Sequence, residues 1–143
     1  MISIEEIQNA WGWGFKNKIQ EVVKMNTFGN ILVRSENEIY RILPEDCSIE
    51  YVCTVDELDS CFANEEFVDS WEMKNWEIPI TEILGDLPKD RVIAFKIPRV
   101  LGGQDEITNI YYANPHDYIG GMGQVASQIH DLPDGTNIEL KVD

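Results

Sequence analysis

Hydrophobic residues near the start of the chain recur at intervals that place them on one face of a helix. Ile4, Ile7 and Trp11 share this face. Ser3 and Glu6 have the spacing of a capping box, in which the hydroxyl and the carboxylate each satisfy a backbone N–H group. The pattern therefore predicts a first helix that begins after Ser3 and ends at the glycines that follow Trp11.

A second short helix and a β region are predicted next. Ile19, Val22 and Val23 suggest the helix, which ends before Asn26. Short apolar runs then have the pattern of strands, and the loop at residues 35–37 suits a hairpin. The three predicted strands cover residues 31–33, 38–43 and 48–53.

The middle of the chain has the pattern of three further short helices. A second capping box, at Thr54 and Glu57, starts the first of them, and Asn64 can cap the second. Pro79 and Gly85 bound the third. The apolar residues expected to face the core are Leu58, Cys61, Phe62, Phe67, Val68, Trp71, Ile80, Ile83 and Leu84.

Two more strands and a long helix are predicted in the last third. Residues 92–97 are apolar apart from Lys96 and are typical of a central strand, and residues 107–112 suggest another strand. Asn114 and Pro115 have the residue types of a helix cap and a first helical position.

Three glycines interrupt this last helix, at positions 120, 121 and 123. Each costs about 1 kcal/mol relative to alanine, so we expect close packing of the helix on the sheet in return. A tight turn at residues 132–136 and an alternating strand at residues 138–142 complete the predicted elements.

The order of these elements predicts an α+β fold. We expect a single domain over residues 1–143, with a mostly antiparallel sheet covered by helices on at least one face. No apolar segment approaches the ~20 residues of a membrane span. The N-terminus lacks the basic and apolar regions of a signal peptide, so we expect a cytoplasmic protein. Cys47, Cys53 and Cys61 are odd in number and lack CxxC spacing, which favours free buried thiols.

Charge changes this picture more than any other feature of composition. The formal net charge is -15, from 26 acidic and 11 basic residues. Residues 45–90 hold fourteen of the acids and only two lysines, and most of them fall on the predicted helices. Such a field repels nucleic acid and anionic membranes and attracts cationic partners. A surface that only keeps the protein soluble is the simpler alternative.

The sequence contains no strong catalytic or metal-binding motif. Phosphate loops, the GxSxG elbow, HExxH and calcium loops are all missing. His116 and His130 each precede an aspartate, but adjacent residues on a helix do not face each other. Acidic neighbours should raise the pKa of Cys61 and suppress its thiolate. We therefore predict no catalytic residue, no metal and no cofactor.

Three groups of motifs resemble a known family, the C-terminal domain of type VI secretion immunity proteins that protect cells against a DNase toxin. The FKIPxxLGG and QIxDLPDG strings are the most specific of them, and the resemblance covers nearly the whole chain. The motifs are Trp11-Gly12-Trp13, Thr27-Phe28-Gly29-Asn30, Leu43-Pro44-Glu45-Asp46, Phe95-Lys96-Ile97-Pro98-Arg99-Val100-Leu101-Gly102-Gly103, Met122-Gly123 and Gln128-Ile129-His130-Asp131-Leu132-Pro133-Asp134-Gly135-Thr136.

The resemblance implies a cytoplasmic binding protein without catalysis that neutralises a cognate toxin. Nucleases are commonly basic where they hold phosphate, so we expect a partner with a basic contact surface. The family gives no contact residues, and we select candidates from the acid block and one loop. The loop at residues 12–16 is an equal alternative. The candidate partner-binding residues are Glu65, Glu66, Asp69, Glu72, Arg99 and Gln104, the last two bounding the loop Arg99–Gln104.

Two other functions remain open at this point. One is a small-molecule-sensing or regulatory module, and the other is an unrecognised hydrolase that uses His116 or His130. The sensing module would need one pocket lined by Gly102, Gly103, Trp11, Trp13, Tyr111 and Tyr112.

Overall fold

The computed structural model describes residues 2–132, so the predicted strand at residues 138–142 and most of the turn before it lie outside the described residues. Within that range the fold is α+β, as predicted. The elements in chain order are α1 (Ile4–Trp11), β1 (Glu21–Met25), β2 (Ile31–Ser35), β3 (Glu38–Leu43), β4 (Ser48–Thr54), α2 (Leu58–Ala63), α3 (Glu65–Trp71), α4 (Ile80–Leu84), β5 (Val92–Phe95), β6 (Ile110–Ala113) and α5 (Pro115–Ile129).

Strands β1 to β4 form an antiparallel sheet in sequence order, and β5 and β6 form a separate antiparallel pair. The prediction that residues 92–97 form a central strand was wrong. All four residues of β5 are buried even though the pair has only two strands. Side chains pack on both of its faces, which gives it the continuous apolar pattern of a strand inside a larger sheet.

The predicted second helix was also wrong, because Ile19 lies in a loop and Val22 and Val23 belong to β1. Val22 and Val23 are β-branched and fit a strand at the edge of the sheet. The pairing of β1 with β2 shifts register between Val22 and Lys24. This irregularity hides the alternation by which a strand is usually recognised. The strand predicted at residues 107–112 is present but begins later than expected. Residues 107–109 form a 3₁₀ turn, and β6 begins at Ile110.

Helices cover both faces of the four-stranded sheet. Ile31 and Val33 of β2 join a core cluster with Trp11 of α1 and Ile119 of α5. Leu32 points to the opposite face, as alternation requires, and packs in a cluster with Trp71 of α3. A third core cluster packs the β5–β6 pair against α4 and the loop between β1 and β2. Its buried members are Phe28, Ile80, Ile93, Phe95 and Ile110.

The capping signals correctly located the helix starts. Both capping boxes form, at Ser3 with Glu6 and at Thr54 with Glu57. The apolar stripe of α4 was misjudged, since Ile83 is 55 % exposed and only Ile80 of that helix is buried. A helix of five residues is too short to direct three apolar residues at the core.

Close packing of α5 occurs on α1 rather than on the sheet. A Cβ atom on Gly123 would lie 2.5 Å from the Ala10 carbonyl oxygen and 2.7 Å from the Ala10 Cβ. Gly120 and Gly121 have nothing within 4 Å of that position. One glycine of the three therefore serves the helix–helix contact.

Candidate binding surface

The acidic candidates lie on α3 or directly after it. Glu65 and Glu66 are exposed in its first turn, where carboxylates complement the helix dipole. Neither forms an ion pair with any of residues 2–132. Their charges are thus available to a partner at the surface.

The other two acids on this surface share a lysine. The Lys74 Nζ lies 3.3 Å from Asp69 and 3.4 Å from Glu72. Hydrogen bonds from Lys74 to Asp69 and then to Glu72 raise the pKa of the lysine. The four acids together with Lys74 still carry a formal charge of -3, so this part of the surface stays acidic.

Arg99, the basic candidate, is held by two carboxylates. Its Nε and Nη2 donate to Asp105 at 2.8 and 3.2 Å, and its Nη1 donates to both oxygens of Asp46 at 3.3 Å. The guanidinium also lies 4.9 Å from the centre of the Phe95 ring. Arg99 therefore fixes its own loop. Gln104 donates to the Gly102 carbonyl oxygen at 3.1 Å and is exposed.

The acidic helix and the Arg99 loop are neighbours in space. They line a small cleft of about 230 Å³ together, with Asp69 on one side and Arg99 and Asp105 on the other. Trp76 also lines this cleft, and its buried indole N–H has no hydrogen-bond partner among residues 2–132. Candidates from two distant parts of the sequence thus belong to one surface.

The alternative loop at residues 12–16 borders a larger cleft of about 640 Å³ on the far side of Asp46. Trp13 stacks on His130 there, with ring centres 4.4 Å apart, and Val100 also lines the cleft. Each of the three groups of family motifs supplies at least one lining residue. The motifs therefore converge on the region around Asp46.

A buried polar network supports this region from inside. The Glu45 side chain is only 1 % exposed, and both of its oxygens accept from Asn30 Nδ2 at 2.8 and 3.0 Å. The Asn30 Oδ1 accepts from Arg41 Nε at 2.8 Å, and Arg41 reaches Ser70 of α3 at 3.0 Å. The amide of Asn30 thus links the buried guanidinium of Arg41 to the buried carboxyl group of Glu45, and Arg41 ties the sheet to α3.

Glu45 is one of the fourteen acids of residues 45–90, but it is buried and adds no charge to the surface of that block. Burial raises its pKa to about 7, although the hydrogen bonds from Asn30 act in the opposite direction. Its position directly after Pro44, between Leu43 and Cys47, is a signal that it sits in an apolar segment. Sequence reasoning also missed Asn109, whose side chain clamps the Arg99 loop.

We expect Glu45 to make the protein less stable as pH rises. A carboxyl with a raised folded-state pKa keeps its proton longer in the folded than in the unfolded chain. The free energy of unfolding should therefore fall by about 3 kcal/mol between pH 4.5 and 7 from this group alone, and then level off. Glu6 and Glu57 have lowered pKa values, so their effects lie below this window.

Chemical denaturation of wild type and Glu45→Gln at pH 5 and pH 8 measures the contribution. Glutamine keeps the size of the side chain and removes its titration, so the variant should lose less stability between the two pH values than wild type. General charge repulsion affects both proteins alike. Equal pH dependence in the two would show that Glu45 does not titrate in this range.

The groups required by the two other functions are not brought together. Trp11 is fully buried and donates to the Ile119 carbonyl oxygen at 2.9 Å, while Tyr112 donates to the Gly85 carbonyl oxygen at 2.6 Å. These aromatics therefore do not line one pocket with Trp13. His116 Nδ1 lies 2.6 Å from Glu6 Oε2, but on an exposed surface. Within residues 2–132, no hydroxyl or thiol is hydrogen-bonded to either imidazole ring.

The cysteines have the environment of structural thiols. Cys47 and Cys53 are buried, and Cys61 is half-buried. Burial raises the pKa of both Cys47 and Cys53 to about 12. No cluster of three or more metal-ligating side chains occurs in the part of the chain that the structure describes. The same part has no helix long and apolar enough to cross a membrane.

An exposed acidic helix attracts cationic surfaces by charge complementarity. Comparison with protein families agrees with the resemblance found in the motifs. The model of the family "T6SS immunity protein Tdi1, C-terminal" matches residues 53–125, or 73 of the 143 residues. The chain therefore belongs to this family of type VI secretion immunity proteins. No curated protein matches it.

Proposed function

We propose that this protein neutralises a cognate toxin by binding it directly, without catalysis, metal or cofactor. The observation that carries the proposal is the family match over residues 53–125, which includes the whole of α3 and the Arg99 loop. Asp69 and Arg99, one from each segment, line the same cleft, and Glu65, Glu66, Glu72 and Gln104 are exposed to a protein partner.

The proposed partner is basic at its contact surface. The acids on α3 carry a local negative charge, and charge complementarity accelerates association with a cationic surface. A toxin that acts on nucleic acid has such a surface where it holds phosphate, and an acidic helix would cover it. The same charge disfavours binding of this protein to nucleic acid or anionic membranes, and the proposed site of action is the cytoplasm.

Reversal of Glu65 and Glu66 to lysine should slow association with the toxin and flatten its salt dependence. Both side chains are exposed, so the fold should tolerate the change. Steering by surface charge is screened over a Debye length of about 8 Å at physiological ionic strength. The measurement is the association rate constant at low and high salt, with an inactivated form of the cognate toxin.

A control variant separates this surface from the overall charge. Reversal of Asp86 and Asp90 changes the net charge equally, and both residues are exposed in the loop before β5. That variant should retain more of the wild-type association rate at low salt. If both reversals had the same effect, only the net charge would matter, and the contact would not be centred on α3.

A further inference from the structure

The loop between β5 and β6 exposes two large apolar side chains that the acidic-surface hypothesis does not use. Ile97 is 51 % exposed and Val100 is 59 % exposed, the largest value among the large hydrophobic residues in the described range. They lie on either side of Pro98 and Arg99, within the FKIPxxLGG motif. Exposed apolar side chains that recur close together commonly mark a contact surface.

The loop that carries them is held firmly by its own side chains. Asn109 accepts from the Ile97 N–H at 2.9 Å and donates to the Ile97 and Gln104 carbonyl oxygens at 3.0 Å. A Cβ atom on Gly103 would collide with the Ile97 carbonyl group, so the backbone closes tightly there. The bonds from Arg99 to Asp46 and Asp105 join the loop to the rest of the surface.

Rigidity of this kind makes an exposed apolar side chain useful for binding. Ile97 and Val100 are β-branched and have few side-chain rotamers. Their backbone is fixed before a partner arrives, so little conformational entropy is lost on contact. Rigid apolar side chains displayed in this way can form the centre of an interface, where most of the binding energy is concentrated.

We propose that Ile97 and Val100 form the apolar centre of the toxin-binding surface and that the α3 acids form its charged rim. The proposal deepens the proposed function and rests on it. Arg99, which lies between the two apolar residues in the sequence, lines a cleft with Asp69 of α3, and Val100 lines the neighbouring cleft with Asp46. Beside the apolar pair, the two negative charges of Asp46 and Asp105 exceed the single positive charge of Arg99. The partner is therefore the cognate toxin, with an apolar recess bordered by lysine or arginine side chains.

The two parts of the surface should affect different rate constants. Charged rims mainly set association, whereas apolar centres mainly set dissociation. Val100→Ser and Ile97→Ser should each raise the dissociation rate constant at least tenfold and leave the association rate constant nearly unchanged. Ile4→Ser is the matched control, because Ile4 is 41 % exposed in the first turn of α1, away from this loop.

The experiment measures both rate constants with an immobilised, inactivated form of the cognate toxin. Thermal unfolding of each variant verifies that it is folded. Faster dissociation of both loop variants, with Ile4→Ser like wild type, supports the proposal. Wild-type dissociation of the loop variants overturns it and leaves the proposed function standing. Failure of the wild-type protein to bind overturns the proposed function itself.

Discussion

Replacing Trp11 by alanine is expected to lower the free energy of unfolding by about 3–5 kcal/mol. The side chain is fully buried between α1, α5 and the sheet, so its removal leaves a cavity that the surrounding elements can fill only in part. The Ile119 carbonyl oxygen also loses the hydrogen bond from the indole N–H, which adds to the loss.

Two further variants separate these contributions in chemical denaturation experiments. Trp11→Phe retains most of the buried area and loses the hydrogen bond, so it should be destabilised much less than Trp11→Ala. Trp13→Ala removes a half-buried ring on the cleft and should also cost less. If Trp11→Ala were as stable as wild type, Trp11 would not be an anchor of the core.

Replacing Gly123 by alanine is expected to destabilise the protein by about 1–3 kcal/mol, the usual cost of overpacking. The new methyl group would lie against the Ala10 backbone and side chain, and α1 would have to move away from α5. Alanine is normally the better helix former by about 1 kcal/mol, so packing must overcome this gain.

Gly121→Ala is the matched control, since it makes the same change two residues away in open space. It should leave stability unchanged or raise it by up to about 1 kcal/mol. Thermal or chemical unfolding of the two variants gives the comparison. Equal stability of Gly121→Ala and Gly123→Ala would contradict the close approach of the two helices.

Local signals predicted the helices best. The capping boxes and the Asn114-Pro115 start depend on residues within a few positions, and these contacts form as expected. The helix predicted at Val22 and Val23 was wrong because the conformation of these residues depends on pairing with β2, which lies further along the chain. A strand at residues 92–95 was correctly predicted, but not its place in a two-stranded pair, because its burial comes from the core clusters on both of its faces rather than from flanking strands.

The candidate surface was predicted only in part. The sequence indicated the acidity of α3 and the motif around Arg99, but not that both lie beside one cleft. It also treated Glu45 as one more surface acid. Its carboxyl group accepts from Asn30, whose amide oxygen in turn accepts from Arg41 of β3, and these contacts join separate parts of the chain. The hydrogen bonds of Asn109 to the backbone of Ile97 are likewise contacts between residues twelve positions apart.

The central claim is that this protein inhibits its cognate toxin by direct binding. The most direct test is a calorimetric titration of the purified protein into an inactivated, folded form of the cognate toxin. The account predicts saturable binding with a Kd below about 1 μM, equivalent to about -8 kcal/mol. It also predicts weaker binding when Glu65 and Glu66 are reversed. Absence of binding to the folded toxin at micromolar concentrations would contradict it.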